Sequence, residues 1–212
     1  MPRVAYSEED REHIRTALIT TGLELMAKQG IQRTTLEQVY KKVGISRTFF
    51  YSFFSTKEDF VLETLYWQQP KIIAYVQTIM ADPTLTWHGA VKKFLHNCCY
   101  GEKNGIAVLT IEEQQLIFKR LSKESYQVFR QKQHQLFGKI LECFGIKADT
   151  KRINLFTNLS LTAMVIRRAL PDTLPLLVPE AADETVDFQL DAIVNVLEKL
   201  KMASQALDDG KM

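Results

Sequence analysis

Residues 34–58 read Thr34-Thr35-Leu36-Glu37-Gln38-Val39-Tyr40-Lys41-Lys42-Val43-Gly44-Ile45-Ser46-Arg47-Thr48-Phe49-Phe50-Tyr51-Ser52-Phe53-Phe54-Ser55-Thr56-Lys57-Glu58, and their punctuation decides the fold. Two capping boxes overlap at the start, Thr34-x-x-Glu37 and Thr35-x-x-Gln38. In such a box a hydroxyl at the helix entrance accepts a backbone N–H of the first turn, while the later side chain reaches back to the cap. A helix carrying Leu36, Val39 and Val43 follows. Gly44-Ile45-Ser46 reads as a tight turn, because glycine enters the left-handed region without strain and serine caps the next helix. Arg47 to Phe54 then forms a helix of about two turns, and Ser55-x-x-Glu58 opens another.

Two short helices bracketing a turn with an apolar centre are the requirement of a helix-turn-helix. Val39, Val43, Ile45, Phe50 and Phe54 can lock the pair at a steep angle and free the N-terminal end of the second helix for a DNA major groove, about 12 Å wide. Arg47, Thr48, Tyr51 and Ser52 are left facing outward. Phe49 and Phe53, four residues apart, either meet thymine methyl groups or pack inward. Arginine and threonine reach base edges, whereas hydroxyls and amines serve phosphates. Lys57 adds a cation at a helix N-terminus that already favours anions.

Charge is distributed in the same sense. The chain has 212 residues and a net charge of only +2. Between Lys28 and Lys57, however, six basic residues (Lys28, Arg33, Lys41, Lys42, Arg47, Lys57) face the single acid Glu37. A local basic footprint on a near-neutral chain fits a DNA-binding head on an ordinary body.

The stretch from Thr34 to Glu58 resembles the N-terminal signature of TetR-family repressors. The resemblance covers about 55 residues and helices one to four; beyond it the chain matches only in being helical and of suitable length. It implies that Thr35, Ser46, Tyr51 and Lys57 contact the DNA backbone and that Arg47 and Thr48 read bases. Thr48 stands in place of the usual glycine, Phe49 of threonine, Phe53 of histidine and Tyr40 of alanine.

Working outward, Ile14, Ala17, Leu18, Thr21 and Leu25 share one helical face, with Ser7 and Asp10 as the opening cap and Gly30 as the stop. The fourth helix runs through Leu62 and Leu65, and Pro70 should kink or interrupt it. Ala81-Asp82-Pro83 is a break. Further helices are read at Trp87–Cys98, Ile111–Leu121, Tyr126–Phe144, Asn154–Leu170 and Val186–Leu200, with Pro171, Pro175 and Pro179 enforcing an irregular link before the last. No strand and no internal repeat is read. The fold class is therefore all-α, with a helix-turn-helix domain in residues 1–54 and a sensing and dimerising body in residues 55–212.

The aromatic residues Tyr66, Trp67, Trp87, Phe94, Tyr100, Phe118 and Tyr126 are either core or the lining of a cavity. The family resemblance implies a cavity for a small, largely apolar effector. The last two helices are apolar around most of their girth, so both are buried in the monomer or one face meets a symmetry mate. Leu159, Ile166, Ile193 and Leu197 are the expected homodimer contacts.

His88, His96 and Cys99 are too few for a metal site, and no catalytic triad or phosphate loop is visible. The reading needs no metal, no cofactor and no enzyme activity. Cys98, Cys99 and Cys143 lack disulfide-like spacing, and no run approaches the ~20 apolar residues of a membrane span. The expectation is a soluble, cytoplasmic, dimeric repressor that binds double-stranded DNA at a pseudo-palindromic operator and is released by an effector. Two alternatives stay open: an architectural DNA-binding protein without an effector, and a helical bundle whose pocket does chemistry.

Overall fold

A computed structural model describes residues 6–100, 106–107, 109, 111–169 and 178–209. It contains α1 (Glu8–Gln29), α2 (Leu36–Val43), α3 (Arg47–Phe50), α4 (Lys57–Met80), α5 (Trp87–Cys99), α6 (Ile111–Arg120), α7 (Lys123–Cys143), α8 (Thr150–Ala169) and α9 (Ala182–Asp209). A 3₁₀ turn at Pro179–Ala181 precedes α9, and no strand occurs among the described residues. Pro171 and Pro175 lie outside those residues. No described helix is long and apolar enough to cross a membrane.

The chain forms two compact units. The first comprises residues 1–68 and 105–121, the second residues 69–104 and 122–212. The division falls within α4, beside Pro70. That proline has no N–H to bond the carbonyl four residues earlier, yet α4 runs through it.

Local chemistry explains most helix ends. Ser7 and Asp10 form the expected reciprocal box at α1, and Thr35 and Gln38 form one at α2. The competing Thr34–Glu37 box does not form. Thr34 is buried and its hydroxyl donates to the Gly30 carbonyl at 2.8 Å, while Glu37 pairs with Lys41. The cap of α4 is likewise one residue later than read: the Asp59 N–H donates to Thr56 Oγ1, and Ser55 stays outside.

In the first unit Phe50, Phe54 and Phe60 form a buried aromatic triangle with centroids 5.1–5.4 Å apart. Gly22 lets α1 approach it, since a Cβ there would strike the Phe60 ring. The buried face of α1 is Leu18, Ile19, Leu23, Met26 and Ala27 around this glycine. Ile14, Ala17, Thr21 and Leu25 are only half-buried, so the real contact stripe lies beside the one read from spacing. In the second unit α5 packs on α8 and α9, and α7 packs on α8, which in turn packs on α9. Phe94, Phe144, Phe156 and Phe137 form a chain of ring contacts through its core. Each such buried ring contributes roughly 1.5–3 kcal/mol relative to exposure.

Candidate nucleic-acid interface

α2 ends in a Schellman arrangement. Gly44 is left-handed (φ 81°, ψ 26°), its N–H donates to the Lys41 carbonyl, and the Ile45 N–H donates to the Tyr40 carbonyl. A β-branched or larger side chain at position 44 would strain this turn. Ser46 then caps α3 by accepting the Phe49 N–H at 3.1 Å. Val39, Phe50 and Phe54 are buried, and Val43 and Ile45 half-buried, so the lock between the two helices has the composition expected of it.

The second helix is shorter than the sequence indicates. Only Arg47–Phe50 is α-helical; residues 51–53 continue as tight turns closed by Ser52 N–H to the Phe49 carbonyl and Phe53 N–H to the Phe50 carbonyl. The Ser52 hydroxyl also donates to the Phe49 carbonyl at 2.7 Å. Such side-chain competition for backbone carbonyls is unfavourable to helix continuation.

The outward face is as anticipated. Thr35, Ser46, Arg47, Thr48, Tyr51 and Ser52 are all exposed. The Arg47 guanidinium lies 5.8 Å from the Tyr51 ring centroid. Thr35 and Ser46 use an oxygen lone pair to cap a helix, which leaves each hydroxyl hydrogen available to an outside acceptor. Phe49 is half-buried: it stacks on Tyr6, meets Phe53 edge-on, and both rings lie under the Arg11 guanidinium. Arg11 also donates to the Ser52 carbonyl at 3.5 Å. Tyr6, just before α1, and Arg11, within it, thus clasp residues 49–53. They escaped the sequence reading because nothing local links them to that segment.

Lys57 is not presented as a free cation. It is half-buried, and Nζ donates to the carbonyls of Thr34 at 2.9 Å and Ile31 at 3.5 Å. Burial holds its pKa below the ordinary lysine value, against the opposing pull of Glu58 and Glu113. Lys41 and Lys42 pair with Glu37 (2.6 Å) and Glu24 (2.8 Å). The net positive field is therefore smaller than the residue count implied.

The remaining expected sites divide between the units. Tyr66, Trp67 and Phe118 belong to the first; Trp87, Phe94, Tyr100 and Tyr126 belong to the second. Burial pushes the Tyr66 phenol pKa up to about 12, and Trp67 is exposed. Trp87 Nε1 donates to the Phe144 carbonyl at 2.8 Å, Phe94 is core, and Tyr126 is exposed. Tyr100 donates to Asp183 at 2.6 Å and borders a cleft of about 720 Å³ with His96, Asp187 and Asp191. Of the four second-unit aromatics, Tyr100 alone lines this cleft.

Ile193 and Leu197, expected as dimer contacts, are buried within the second unit, at 5% and 1% exposure. Both lie on the face of α9 that also buries Val186, Leu190 and Val194. Leu159 and Ile166 of α8 are half-buried, and the apolar groups left exposed nearby are Leu155, Phe188, Val196 and Met202.

The family model described as bacterial regulatory proteins, tetR family, matches residues 18–64. No curated protein matches the chain in sequence. Among solved structures, the chain is similar to a TetR-family transcriptional regulator from Streptomyces coelicolor at 16% identity and TM-score 0.52, covering 90% of this chain and 97% of that one. It is similar also to the reduced form of NemR from E. coli at 14% identity and TM-score 0.55, covering 89% and 96%. A TetR transcriptional regulator from Legionella pneumophila matches at 16% identity and TM-score 0.53, covering 89% and 98%. α2, the Gly44 turn and α3 form a helix-turn-helix within the stretch that the family model matches, and the other described elements are helical. Over residues 18–64 the chain matches the TetR-family model, and its fold is similar to that of solved TetR-family regulators.

Proposed function

We propose that this protein binds a pseudo-palindromic DNA operator as a homodimer and represses transcription until a small molecule releases it. The observation that carries the DNA half is the exposed row Ser46, Arg47, Thr48, Tyr51 and Ser52 over the buried lock of Val39, Phe50 and Phe54. Arg47 and Thr48 sit at the helix end that enters a major groove and read bases; Thr35, Ser46, Tyr51 and Ser52 fix the phosphates. Phe49 is fixed by Tyr6 and Arg11 and orients the segment. Lys57 supports it from behind. The second copy docks through α8 and α9, where Leu155, Phe188, Val196 and Met202 are exposed and Leu159 and Ile166 half-buried. The effector is assigned to the second unit, with α4 supplying residues to both units.

Selection of bound duplexes from random DNA tests this reading. The expected outcome is enrichment of an inverted repeat whose half-sites are about one helical turn apart, near 34 Å, or a multiple of it. Recovery of unrelated sequences with equal affinity contradicts it. For the effector, any compound that quenches or shifts Trp87 fluorescence should weaken operator binding, and operator should weaken that compound by the same factor. Binders that leave operator affinity unchanged would favour the architectural alternative.

A further inference from the structure

A cluster of charged side chains outside the DNA-facing row centres on α6. Glu113 is a buried carboxylate, 3% exposed, and it accepts the backbone N–H of Gln32 at 2.7 Å. Gln32 lies in the loop from Gly30 to Thr34, between α1 and α2. The same carboxylate approaches Gly30, lying 3.5 Å from where a Cβ would stand on that glycine. Lys57, from α4, holds the far side of the loop through the Ile31 and Thr34 carbonyls. Arg120 at the end of α6 pairs with Glu58 at 2.9 Å, so α6 also grips the first turn of α4. Together Ile31, Gln32, Lys57, Val61, Glu113 and Ile117 enclose a cavity of about 80 Å³.

A buried carboxylate is costly unless its oxygens are hydrogen-bonded and its charge is offset. Here the bond goes to a backbone group of the loop that delivers Thr35, the cap of α2. Loop position is therefore set by two charged side chains from outside it, an acid on α6 and a base on α4.

We propose that Glu113 is a positioning residue for the DNA-reading head. It fixes the α1–α2 loop, and through it α2 and α3, in the form that fits the operator. It touches no DNA itself. Removing its carboxylate loosens the loop without altering any DNA-facing side chain. This rests on the DNA-binding reading above.

The test uses the full chain and the duplex that the wild-type protein selects from random DNA. Glu113→Ala and Glu113→Gln are compared with wild type on that duplex and on a scrambled one, alongside thermal melting and exchange of the Gln32 amide. Glu113→Ala should lose roughly tenfold or more in operator affinity, the scale of one charge-assisted hydrogen bond. Scrambled-duplex binding should stay unchanged, and the Gln32 amide should exchange faster. Glu113→Gln, whose amide oxygen still accepts, should recover most of the loss. Should Glu113→Ala fail to fold, Glu113→Asp keeps the charge but shortens the reach, and the same pattern is expected of it. Wild-type operator affinity in a folded variant with a fast-exchanging Gln32 amide overturns the proposal. So does an equal loss on operator and scrambled DNA. A wild-type protein that does not discriminate operator from scrambled DNA removes the DNA-binding reading itself, and the wild-type arm alone reports that.

Discussion

The rings of Tyr6 and Phe49 stack with their centroids 4.7 Å apart, joining the residue before the α1 cap to the segment that follows the Gly44 turn. Arg11 closes the arrangement from above, 4.8 Å from the Phe53 centroid. An aromatic pair contributes about 0.5–1.5 kcal/mol beyond its buried area, and an exposed cation–π contact about 0.5–1 kcal/mol. Tyr6→Ala and Arg11→Ala should each weaken specific DNA binding about 2- to 10-fold, the affinity equivalent of those energies. Titration of the selected duplex by fluorescence anisotropy checks this. Full affinity in the double variant would show that the clasp does not orient the reading segment.

Lys57 gives a separable outcome. Because its ammonium holds the Ile31 and Thr34 carbonyls, Lys57→Ala should destabilise the protein by roughly 1–3 kcal/mol, as expected for hydrogen bonds to a charged group. A direct phosphate contact would instead lower the slope of log affinity against log salt by about one unit. Chemical denaturation and a salt series on one preparation distinguish them. Unchanged stability with a reduced slope would return Lys57 to the DNA surface.

The range over which a residue acts decided how far the sequence was legible. Ser7 with Asp10, Thr35 with Gln38, Gly44 and Ser46 act within four residues of themselves, so their roles could be read directly. Thr34 and Ser55 carry the same local signal as their neighbours Thr35 and Thr56, and tertiary packing chose between them. Phe49 and Phe53 were ambiguous because the decision lies with Tyr6 and Arg11, some forty residues earlier. Glu113 gave no signal, since an acid on an amphipathic helix is ordinarily solvated. For α9 the apolar residues were recognised, but spacing alone did not separate the buried face of Ile193 and Leu197 from the exposed one of Phe188 and Met202.

That separation makes the dimer testable. Phe188 is 74% exposed and Leu197 is 1% exposed on the same helix. Phe188→Glu should give a folded monomer with sharply reduced operator affinity. Leu197→Glu should fail to fold, since it buries an unpaired charge. Light scattering with circular dichroism reads both. A folded dimer from Phe188→Glu would place the interface elsewhere.

The α1 cap responds to acid. Hydrogen bonds from the Ser7 hydroxyl and backbone hold the exposed Asp10 carboxyl below its ordinary value of 3.8. A carboxyl with a depressed folded pKa contributes stability that is present above the unfolded value and lost as pH falls through the folded one. The start of α1, with Tyr6, should therefore fray only below about pH 4, where the unfolded value lies. Amide exchange of Asp10 checks this, and Asp10→Asn should show no such transition. Fraying of wild type already near neutral pH would contradict it.

The reading role of α3 stands or falls with Arg47. Wild type and Arg47→Ala are titrated against the selected operator and its single-base variants at two salt concentrations. Arg47→Ala should lose about 1–3 kcal/mol on the operator and no longer discriminate at the base pair that Arg47 reads. Equal affinity and unchanged base preference in the variant would contradict the assignment of α3 as the reading helix.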